Sequence, residues 1–398
     1  DRLGVKPLYY AWINNTFYFA SELKALWVVM DADLDINLNA LYNYMSYKYT
    51  PVSDSIFTQI KKLTPGCYMR CQSKRNEPVE YWHPGSVQKE NENIQNVLYN
   101  ATKIRLMSEV PLAASLSGGI DSGVLIRNMQ LAGVDPIHAF TARFSGSSVD
   151  ESELASETAR KFNCKHKIVD ICATDVSILE DIAWYLDEPF SDYSALPTYL
   201  ISKEQKKIAT VILSGDGGDE AFGGYDRYRI MKYLSLLSKS QLSKLIKIPL
   251  RLTNKYHMFQ KIQKVMSTSL ELPGSQHDKL VGTFDKQQKK EIFSKDVLAE
   301  INASSISPIE EIFLDSPTGV DPYSYIDYRS YLPGDVLHKV DRMSMAASVE
   351  VRSPFLDYNV VEFGLSLNSR DRYNFSKGKV SLRSSYKDIL PNNVVKGK

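Results

Sequence analysis

The sequence predicts an α/β fold in which helices cover both faces of a parallel sheet. Between residues 86 and 230, segments typical of buried strands alternate with segments of helical spacing, which is the pattern of a parallel sheet. Two glycine-rich loops, at 117–123 and 215–224, each follow one of the predicted strands. Because ligands of parallel sheets bind at the carboxyl ends of the strands, we expect the two loops to form one shared site.

The composition is typical of a globular protein with about two domains. The 398 residues are 43% hydrophobic and 24% charged. The 48 basic and 47 acidic residues give a net charge of +1, so no excess of positive charge indicates binding to nucleic acid or to an anionic membrane. We also expect no membrane span, no signal peptide and a cytoplasmic location.

The cysteines do not predict a metal site. Cys67, Cys71, Cys164 and Cys172 lack the spacing of zinc ligands. Since free cysteine behaves as a small core residue, we expect four reduced thiols, as in a cytosolic protein.

Residues 1–85 contain a set of predicted elements that is too small for a core of its own. Asn14 and Asn15 lie between two strand-like segments, which indicates a hairpin. Ser21 is the expected N-cap of the helix that follows. The chain becomes polar after Ser73, and we place a domain boundary near residue 85. The predicted elements are strands at 5–12, 16–20 and 66–71 and helices at 21–26 and 38–47.

Residues 86–398 begin with the α/β pattern and continue as a helical part. Between Met231 and Leu314, the spacing of leucine, isoleucine and lysine predicts helices that cover one side of the sheet. The predicted elements before it are a strand beginning at Leu112, strands at 137–144, 166–169 and 210–214, and helices at 94–107, 124–131, 150–162 and 176–185.

The first glycine-rich loop predicts a cradle for a pyrophosphate. Gly118 and Gly119 allow backbone N–H groups to approach an anion, and the helix after them adds its positive N-terminal end. Ser117 and Ser122 supply hydroxyl donors. Asp121 repels an anion, so its expected role is to hold Mg²⁺ against the phosphates. The alternative is an ordinary strand–turn–helix corner.

The second glycine-rich loop is acidic. Asp216, Asp219 and Glu220 place three carboxylates within five residues. Carboxylates beside a phosphate cradle repel the phosphate unless a divalent cation intervenes. Together with the first loop, this pattern favours an Mg²⁺·ATP site over a solvated acidic turn.

A third group of charges lies between residues 331 and 357, within a pattern that is otherwise typical of buried structure. Buried charges need partners, so we expect these side chains to pair with one another or with a ligand. The residues are Lys339, Asp341, Arg342, Glu350 and Arg352.

These motifs, in this order, resemble the glutamine-dependent asparagine synthetase family over nearly the whole chain. Residues 1–10 and 19–26 resemble the late part of its glutaminase domain, an α+β fold with an N-terminal nucleophile. The synthetase motifs are matched by residues 117–122, 187–190, 194–199, 213–225 and 339–357. The resemblance implies the remainder of a glutaminase domain at 1–85. It implies a PP-loop ATP pyrophosphatase domain, similar to the adenine nucleotide alpha hydrolases, at 86–398.

The activity implied by the resemblance is ATP-dependent amide synthesis. The family adenylates the β-carboxylate of aspartate, releases pyrophosphate and lets ammonia from glutamine attack the aspartyl-AMP. The implied small-molecule partners are therefore ATP, aspartate, and glutamine or ammonia, and a homodimer is compatible with the family.

The implied roles fall on three sets of residues. Leu116, Ala142, Ser214 and Gly215 line the adenosine site, and Ser117, Gly118, Gly119 and Ser122 contact the phosphates. Asp121 and Asp219 hold Mg²⁺. Asp216 lies where the family has an acidic residue for the adenylate, and Lys339 and Arg342 are candidates for neutralising developing negative charge.

Two parts of the family pattern are expected outside this sequence. The glutaminase cysteine nucleophile is expected upstream of Asp1, and a synthetase-site lysine is expected in a segment that begins near Lys398. Two alternatives stay open. One is a relative that adenylates another carboxylate, such as a β-lactam synthetase or an amidating enzyme of peptide, polysaccharide or antibiotic biosynthesis. The other is an inactive ATP-binding remnant that serves as an interaction module.

Overall fold

The computed structural model describes most of the chain. The described residues are 1–30, 33–71, 77–86, 92–144, 150–171, 177–238, 274, 277, 280–301, 307–374 and 376–397. Cys172, Lys398 and much of the predicted helical stretch between Met231 and Leu314 lie outside them. Cys67, Cys71 and Cys164 are free thiols.

The described chain contains ten strands and a larger number of mostly short helices. The strands are β1 (Tyr9–Ile13), β2 (Thr16–Ala20), β3 (Ile60–Lys62), β4 (Cys67–Tyr68), β5 (Val79–Glu80), β6 (Leu112–Ser115), β7 (His138–Arg143), β8 (Lys165–Asp170), β9 (Val211–Leu213) and β10 (Glu350–Arg352). The helices of the first 238 residues are α1 (Leu23–Met30), α2 (Leu38–Tyr47), α3 (Ile94–Arg105), α4 (Ile120–Leu131), α5 (Ser152–Lys161), α6 (Ile178–Leu186), α7 (Ala195–Lys206), α8 (Gly218–Phe222) and α9 (Asp226–Ser238). The later ones are α10 (Lys286–Ile292), α11 (Lys295–Glu300), α12 (Pro308–Leu314), α13 (Pro322–Arg329), α14 (His338–Ala346), α15 (Tyr358–Ser366), α16 (Ser369–Arg372), α17 (Val380–Tyr386) and α18 (Asn392–Lys396). A π-helical turn spans Leu332–Leu337, and a 3₁₀ turn spans Pro354–Leu356.

Five strands form a parallel sheet in the order β10-β9-β6-β7-β8, which confirms the predicted α/β fold. From β6 the chain moves outward through β7 to β8, and it later returns to place β9 on the other side of β6. The direction of winding therefore reverses between β6 and β9. Ligands of such sheets bind in the crevice at this switch point, and the two glycine-rich loops follow these two strands.

Helices pack on both faces of the sheet. Alternate residues of a strand point to opposite faces, and Ala114 of β6 belongs to an apolar cluster with Val124 and Ile126 of α4. Its neighbour Ala113 belongs to a second cluster, which includes Ile201 of α7. Strands buried on both faces are mainly apolar, and the central strand β9, Val211-Ile212-Leu213, is fully buried.

The N-terminal strands form a separate antiparallel sheet in the order β2-β1-β3. The predicted hairpin is confirmed: Asn14 and Asn15 have φ of 48° and 64°, as a tight two-residue hairpin turn requires. The predicted strand at 66–71 is reduced to β4, which pairs with β5, a strand that the sequence analysis did not predict.

Asp187, which follows α6, caps the first helix of the N-terminal part. The carboxylate of Asp187 accepts a hydrogen bond from the N–H of Leu23 at 2.9 Å and lies 2.8 Å from Nζ of Lys24. Helix α1 begins at Leu23, one residue later than a Ser21 cap would place it. An acidic cap satisfies an end amide and complements the positive end of the helix dipole, so here a distant residue supplies it.

The next residue, Glu188, is buried among groups of the same N-terminal part. It forms an ion pair with Lys62 at 2.6 Å and accepts hydrogen bonds from Thr50 Oγ1 and the N–H of Ile56, each at 2.9 Å. Asp187 and Glu188 together attach residues 1–62 to the α/β part.

Among the described helices, none is long and apolar enough to cross a membrane.

Candidate active site

Hydrogen bonds among its own residues close the first loop between β6 and α4. The N–H of Ser117 donates to Ser122 Oγ at 3.2 Å, and Ser122 Oγ donates to the carbonyl of Gly119 at 3.0 Å. The N–H of Gly119 in turn donates to Ser117 Oγ at 3.3 Å. Gly119 is the N-cap of α4 and has no side chain to occupy the first amides of the helix, so this end suits an anion.

Gly118 has no room for a side chain. Its φ is +86°, and a Cβ there would lie 2.6 Å from the carbonyl oxygen of Glu151. Only glycine adopts this conformation without strain, so the turn depends on Gly118.

The second loop lies directly against the first. A Cβ on Gly215 would lie 3.0 Å from Cβ of Asp121, and one on Gly218 would lie 2.6 Å from Cγ of the same residue. The glycines of the second loop therefore let its backbone contact the aspartate of the first. The structure brings the two loops together, as expected from their positions on neighbouring strands.

The Asp216 side chain is held within the second loop. Ser214 Oγ donates to Asp216 Oδ2 at 2.7 Å, and Ser353 Oγ donates to the Asp216 carbonyl at 2.5 Å. Burial raises the pKa of the Asp216 carboxyl, against the opposing effects of the Ser214 hydrogen bond and the positive charge of Lys339. Carboxyl groups with a pKa shifted by burial and by a nearby charge are common at functional sites.

The carboxylates of Asp121 and Asp219 share one cation, Lys379. Its Nζ donates to Asp121 Oδ2 and lies 2.9 Å from Asp219 Oδ1. Burial raises the pKa of Asp121 to about 6, although the charge of Lys379 lowers it. The two carboxylates in turn raise the pKa of Lys379, which burial alone would lower.

Asp121 and Asp219 suit a divalent cation that arrives with phosphates. Among the described residues, no group of three or more acidic, histidine or cysteine side chains could hold a metal by itself. Mg²⁺, however, is usually bound by one or two carboxylates together with phosphate oxygens. Asp121 Oδ1 is buried with no hydrogen-bond partner in the described structure, and a positive charge already lies between the two carboxylates. These residues therefore fit the ion.

Glu220, the third acidic residue of the loop, faces the protein interior. It is 1% exposed and accepts a hydrogen bond from Tyr225 OH at 2.9 Å. Burial and the charge of Asp219 raise its pKa to about 8. Of the three carboxylates in the acidic pattern, Asp219 is therefore the one that joins Asp121 at the described cation contact.

The residues expected near the adenosine lie at the ends of three adjacent strands. Leu116 follows β6, and its carbonyl accepts a hydrogen bond from Thr141 Oγ1 at 2.5 Å. Ala142 is half-buried on β7, where it pairs with Val169. Ser214 and Gly215 follow β9, so the four candidate residues border the same edge of the sheet.

Lys339 lines a cavity of about 520 Å³, and its positive charge also lowers the pKa of Asp216. Its Nζ is 2.7 Å from Asp192 Oδ2. Burial would raise the pKa of Asp192, but Lys339 lowers it to about 2. Burial and the charge of Asp192 raise the pKa of the adjacent Asp335 to about 7. Tyr49, Arg227 and Tyr331 also line this cavity.

Arg342, one turn along α14 from Lys339, lies at the N-terminal part instead. Its Nη2 donates to the carbonyl of Ser21 at 2.6 Å and lies 3.8 Å from Asp187 Oδ2. The structure does not bring Arg342 to the two loops, because these groups at the junction of the two parts hold its guanidinium.

The remaining charges of the third group have mixed partners. Glu350 and Arg352 pair with each other at 2.8 Å, as the sequence analysis allowed. Asp341 pairs with Lys6 of the N-terminal part.

Lys379 was not predicted as a site residue. It is preceded by Lys377-Gly378, and this lysine–glycine–lysine pattern ahead of a helix was the sequence signal that could have indicated it.

The family comparisons cover almost the entire chain. Residues 93–398 match the family model described as asparagine synthase, and residues 1–82 match that of the glutamine amidotransferase domain. The chain is 28% identical over 411 residues to asparagine synthetase [glutamine-hydrolyzing] 1 of Bacillus subtilis, covering 100% of this chain and 64% of the relative. It thus spans less than two thirds of that protein's length.

Other relatives match shorter stretches. The putative asparagine synthetase [glutamine-hydrolyzing] 2 of Methanocaldococcus jannaschii is 36% identical over 237 residues, covering 56% of this chain and 46% of the relative. Amidase chry2 of Gibberella zeae is 28% identical over 256 residues, covering 58% of this chain and 38% of the relative. Among solved structures, a glutamine-dependent NAD⁺ synthetase from Acinetobacter baumannii aligns over 52% of this chain and 44% of its own, at 18% identity and a TM-score of 0.26, too low to support an argument. The match of the asparagine synthase model to 93–398 shows that the chain belongs to the asparagine synthase family.

Proposed function

We propose that this chain carries the synthetase site of an ATP-dependent, asparagine-forming ligase. The β-carboxylate of aspartate attacks the α-phosphate of ATP, pyrophosphate leaves, and ammonia displaces AMP from the aspartyl-AMP to give asparagine. The observation that supports this most directly is the meeting of two glycine-rich loops at the switch point of the sheet, with Asp121 and Asp219 gathered around one buried cation.

The first loop is proposed to hold the pyrophosphate that leaves. Ser117, Gly118, Gly119 and Ser122 surround the N-terminal end of α4, where backbone amides and the helix dipole favour an anion. Asp121 and Asp219 would hold Mg²⁺, which when bound there supplies positive charge to the departing pyrophosphate. Leu116, Ala142, Ser214 and Gly215 are proposed to border the adenosine.

The cavity beside Lys339 is proposed to hold the acceptor amino acid. Its lining combines cations, Lys48, Lys339 and Arg227, with the carboxyls of Asp192 and Asp335. A lining of both signs suits a zwitterion with an additional carboxylate. Lys339 lines this cavity, and its positive charge lowers the pKa of Asp216. We therefore propose that it orients the attacking carboxylate toward the phosphates.

Residues 1–85 are proposed as the remainder of a glutaminase domain that supplies the ammonia. The two family matches end at residue 82 and begin at residue 93, which supports a boundary near residue 85. The contacts of Asp187 and Glu188 join residues 1–62 to the α/β part.

The test is pyrophosphate release with Mg²⁺·ATP, ammonia and a panel of carboxylic acids. We expect release with aspartate, and its loss in Asp121→Asn, which should remain folded because Asp219 still pairs with Lys379. Asp388→Asn, which alters an exposed aspartate, is the matched control and should behave as the unchanged protein. Release without a preference for aspartate would identify a ligase for another carboxylate, and the absence of Mg²⁺-dependent ATP binding would favour an inactive remnant.

A further inference from the structure

Lys379 is the cation that neutralises the two carboxylates at the junction of the loops. It is 8% exposed, and it contacts both Asp121 and Asp219. We propose that Lys379 is a resident counter-cation that makes metal binding at Asp121 and Asp219 conditional on the nucleotide. This inference rests on the proposed function only in taking the site to be one for a metal–nucleotide complex.

The backbone around Lys379 is built to place the ammonium there. Lys379 has a φ of +55°, a conformation that is costly for a residue with a side chain. The turn before it packs against the end of the second loop, since a Cβ on Gly378 would lie 2.5 Å from the carbonyl oxygen of Gly223. Asn374 Oδ1 fixes this turn by accepting from the N–H of Lys377 at 2.9 Å.

The neighbouring Arg383 donates hydrogen bonds to backbone carbonyls. Arg383, on the helix that Lys379 begins, donates from Nε to the carbonyl of Gly378 at 3.1 Å and from Nη1 to the carbonyl of Val395. Its positive charge also acts on Asp121 and Asp219. Direct neutralisation of the two carboxylates therefore falls to Lys379.

A metal that takes the position between Asp121 Oδ2 and Asp219 Oδ1 displaces the ammonium of Lys379 from both carboxylates. A bare divalent ion would gain two carboxylate ligands but would leave a buried ammonium without a partner, which is strongly unfavourable. An ion that arrives with a polyphosphate brings negative charge that accepts the displaced ammonium. Metal and nucleotide should therefore bind with positive coupling, and the coupling should depend on Lys379.

The test is the affinity for Mn²⁺, measured by electron paramagnetic resonance with and without a non-hydrolysable ATP analogue. In the unchanged protein we expect the analogue to tighten Mn²⁺ binding by about tenfold or more, within the usual range of coupling between sites. Lys379→Met should bind Mn²⁺ alone about tenfold more tightly than the unchanged protein, because nothing then competes for the carboxylates. Its coupling to the analogue should fall towards unity.

Three further variants complete the design. Lys379→Arg keeps the charge and should keep the coupling, and Lys377→Met, which alters the exposed lysine two residues earlier, should behave as the unchanged protein. Lys379→Gln retains a hydrogen-bond donor, so it serves as the second neutral variant if the methionine variant fails to fold. The expected direction is the same for both.

The outcomes separate this inference from the proposed function. If Mn²⁺ binds no more tightly to the folded neutral variants than to the unchanged protein, the counter-cation role is refuted while the proposed function stands. If the unchanged protein binds neither the analogue nor Mn²⁺ in its presence, both proposals are overturned.

Discussion

Replacing Gly218 by alanine tests whether the contact between the two loops positions the site. Gly218 begins α8, and its Cα faces the carboxylate of Asp121. The added methyl carbon would lie 2.6 Å from Asp121 Cγ and 2.9 Å from each of its oxygens. Ordinary contacts begin at 3.4 Å, so the carboxylate and the loop must separate by about 0.8 Å, the difference between 3.4 and 2.6 Å.

The cost should appear mainly in function. Overpacking of this kind destabilises a protein by about 1–3 kcal/mol, whereas a misplacement near 1 Å in a site that depends on alignment costs on the order of 100-fold in rate. We therefore expect Gly218→Ala to fold, to lose about 100-fold in pyrophosphate release, and to bind the metal–nucleotide complex more weakly.

The assay combines urea unfolding, calorimetric binding of an ATP analogue with Mn²⁺, and pyrophosphate release. Gly133→Ala is the control, because Gly133 has a φ of +85° but nothing within 4 Å of the position of an added Cβ. It should lose about 1–2 kcal/mol of stability and retain function. Release by Gly218→Ala within twofold of the unchanged protein would refute the positional role of this contact.

Three other changes give measurable effects of different kinds. Glu188→Ala removes a buried carboxylate that pairs with Lys62 and accepts hydrogen bonds from Thr50 and Ile56, and it should reduce the free energy of unfolding by about 3–5 kcal/mol. The surface change Glu204→Ala should cost at most about 1 kcal/mol, and equal losses in urea unfolding would contradict this. Burial and the charge of Asp192 raise the pKa of Asp335 from 3.8 to about 7, so the folded protein keeps a proton that the unfolded chain releases, and stability from this group falls as pH rises from about 4 to about 7. Asp335→Asn should remove that fall in unfolding measured between pH 4 and 8, and an unaltered slope would argue against a protonated Asp335. Ser122→Ala removes the hydroxyl that closes the first loop and should weaken calorimetric binding of the ATP analogue about fivefold, the equivalent of one net hydrogen bond; unchanged affinity would show that the loop is closed without it.

Local sequence signals predicted most of the sheet. Strands β6 and β9 are short, mainly apolar segments, and β7 and β8 carry apolar residues such as Phe140 and Val169 among polar ones. The helices between them have apolar spacing. Strand β10 escaped prediction because Glu350 and Arg352 flank its single apolar residue, Val351. It becomes a strand through its pairing with β9. Because β9 is far away in the sequence, this pairing cannot be recognised from the residues around Val351.

The candidate site divides in the same way. The two loops were predictable because glycine, serine and aspartate at fixed spacing form local motifs whose chemistry depends on few distant residues. The partners of the lysine and arginine side chains could not be predicted, because these long side chains can reach several groups once the chain has folded. Lys379 thus enters the site without a strong sequence signal, whereas Arg342 contacts Ser21 and Asp187 at the junction of the two parts.

The capping of α1 by Asp187 has a consequence for biosynthesis. The amide of Leu23 and its acceptor are separated by 164 positions in the chain. At translation rates of about 5–20 residues per second, this separation corresponds to roughly 8–30 s. During that interval the nascent helix has no cap from this carboxylate. The N-terminal part therefore completes its folding only after α6 and the residue that follows it have left the ribosome, which ties the maturation of the two parts together.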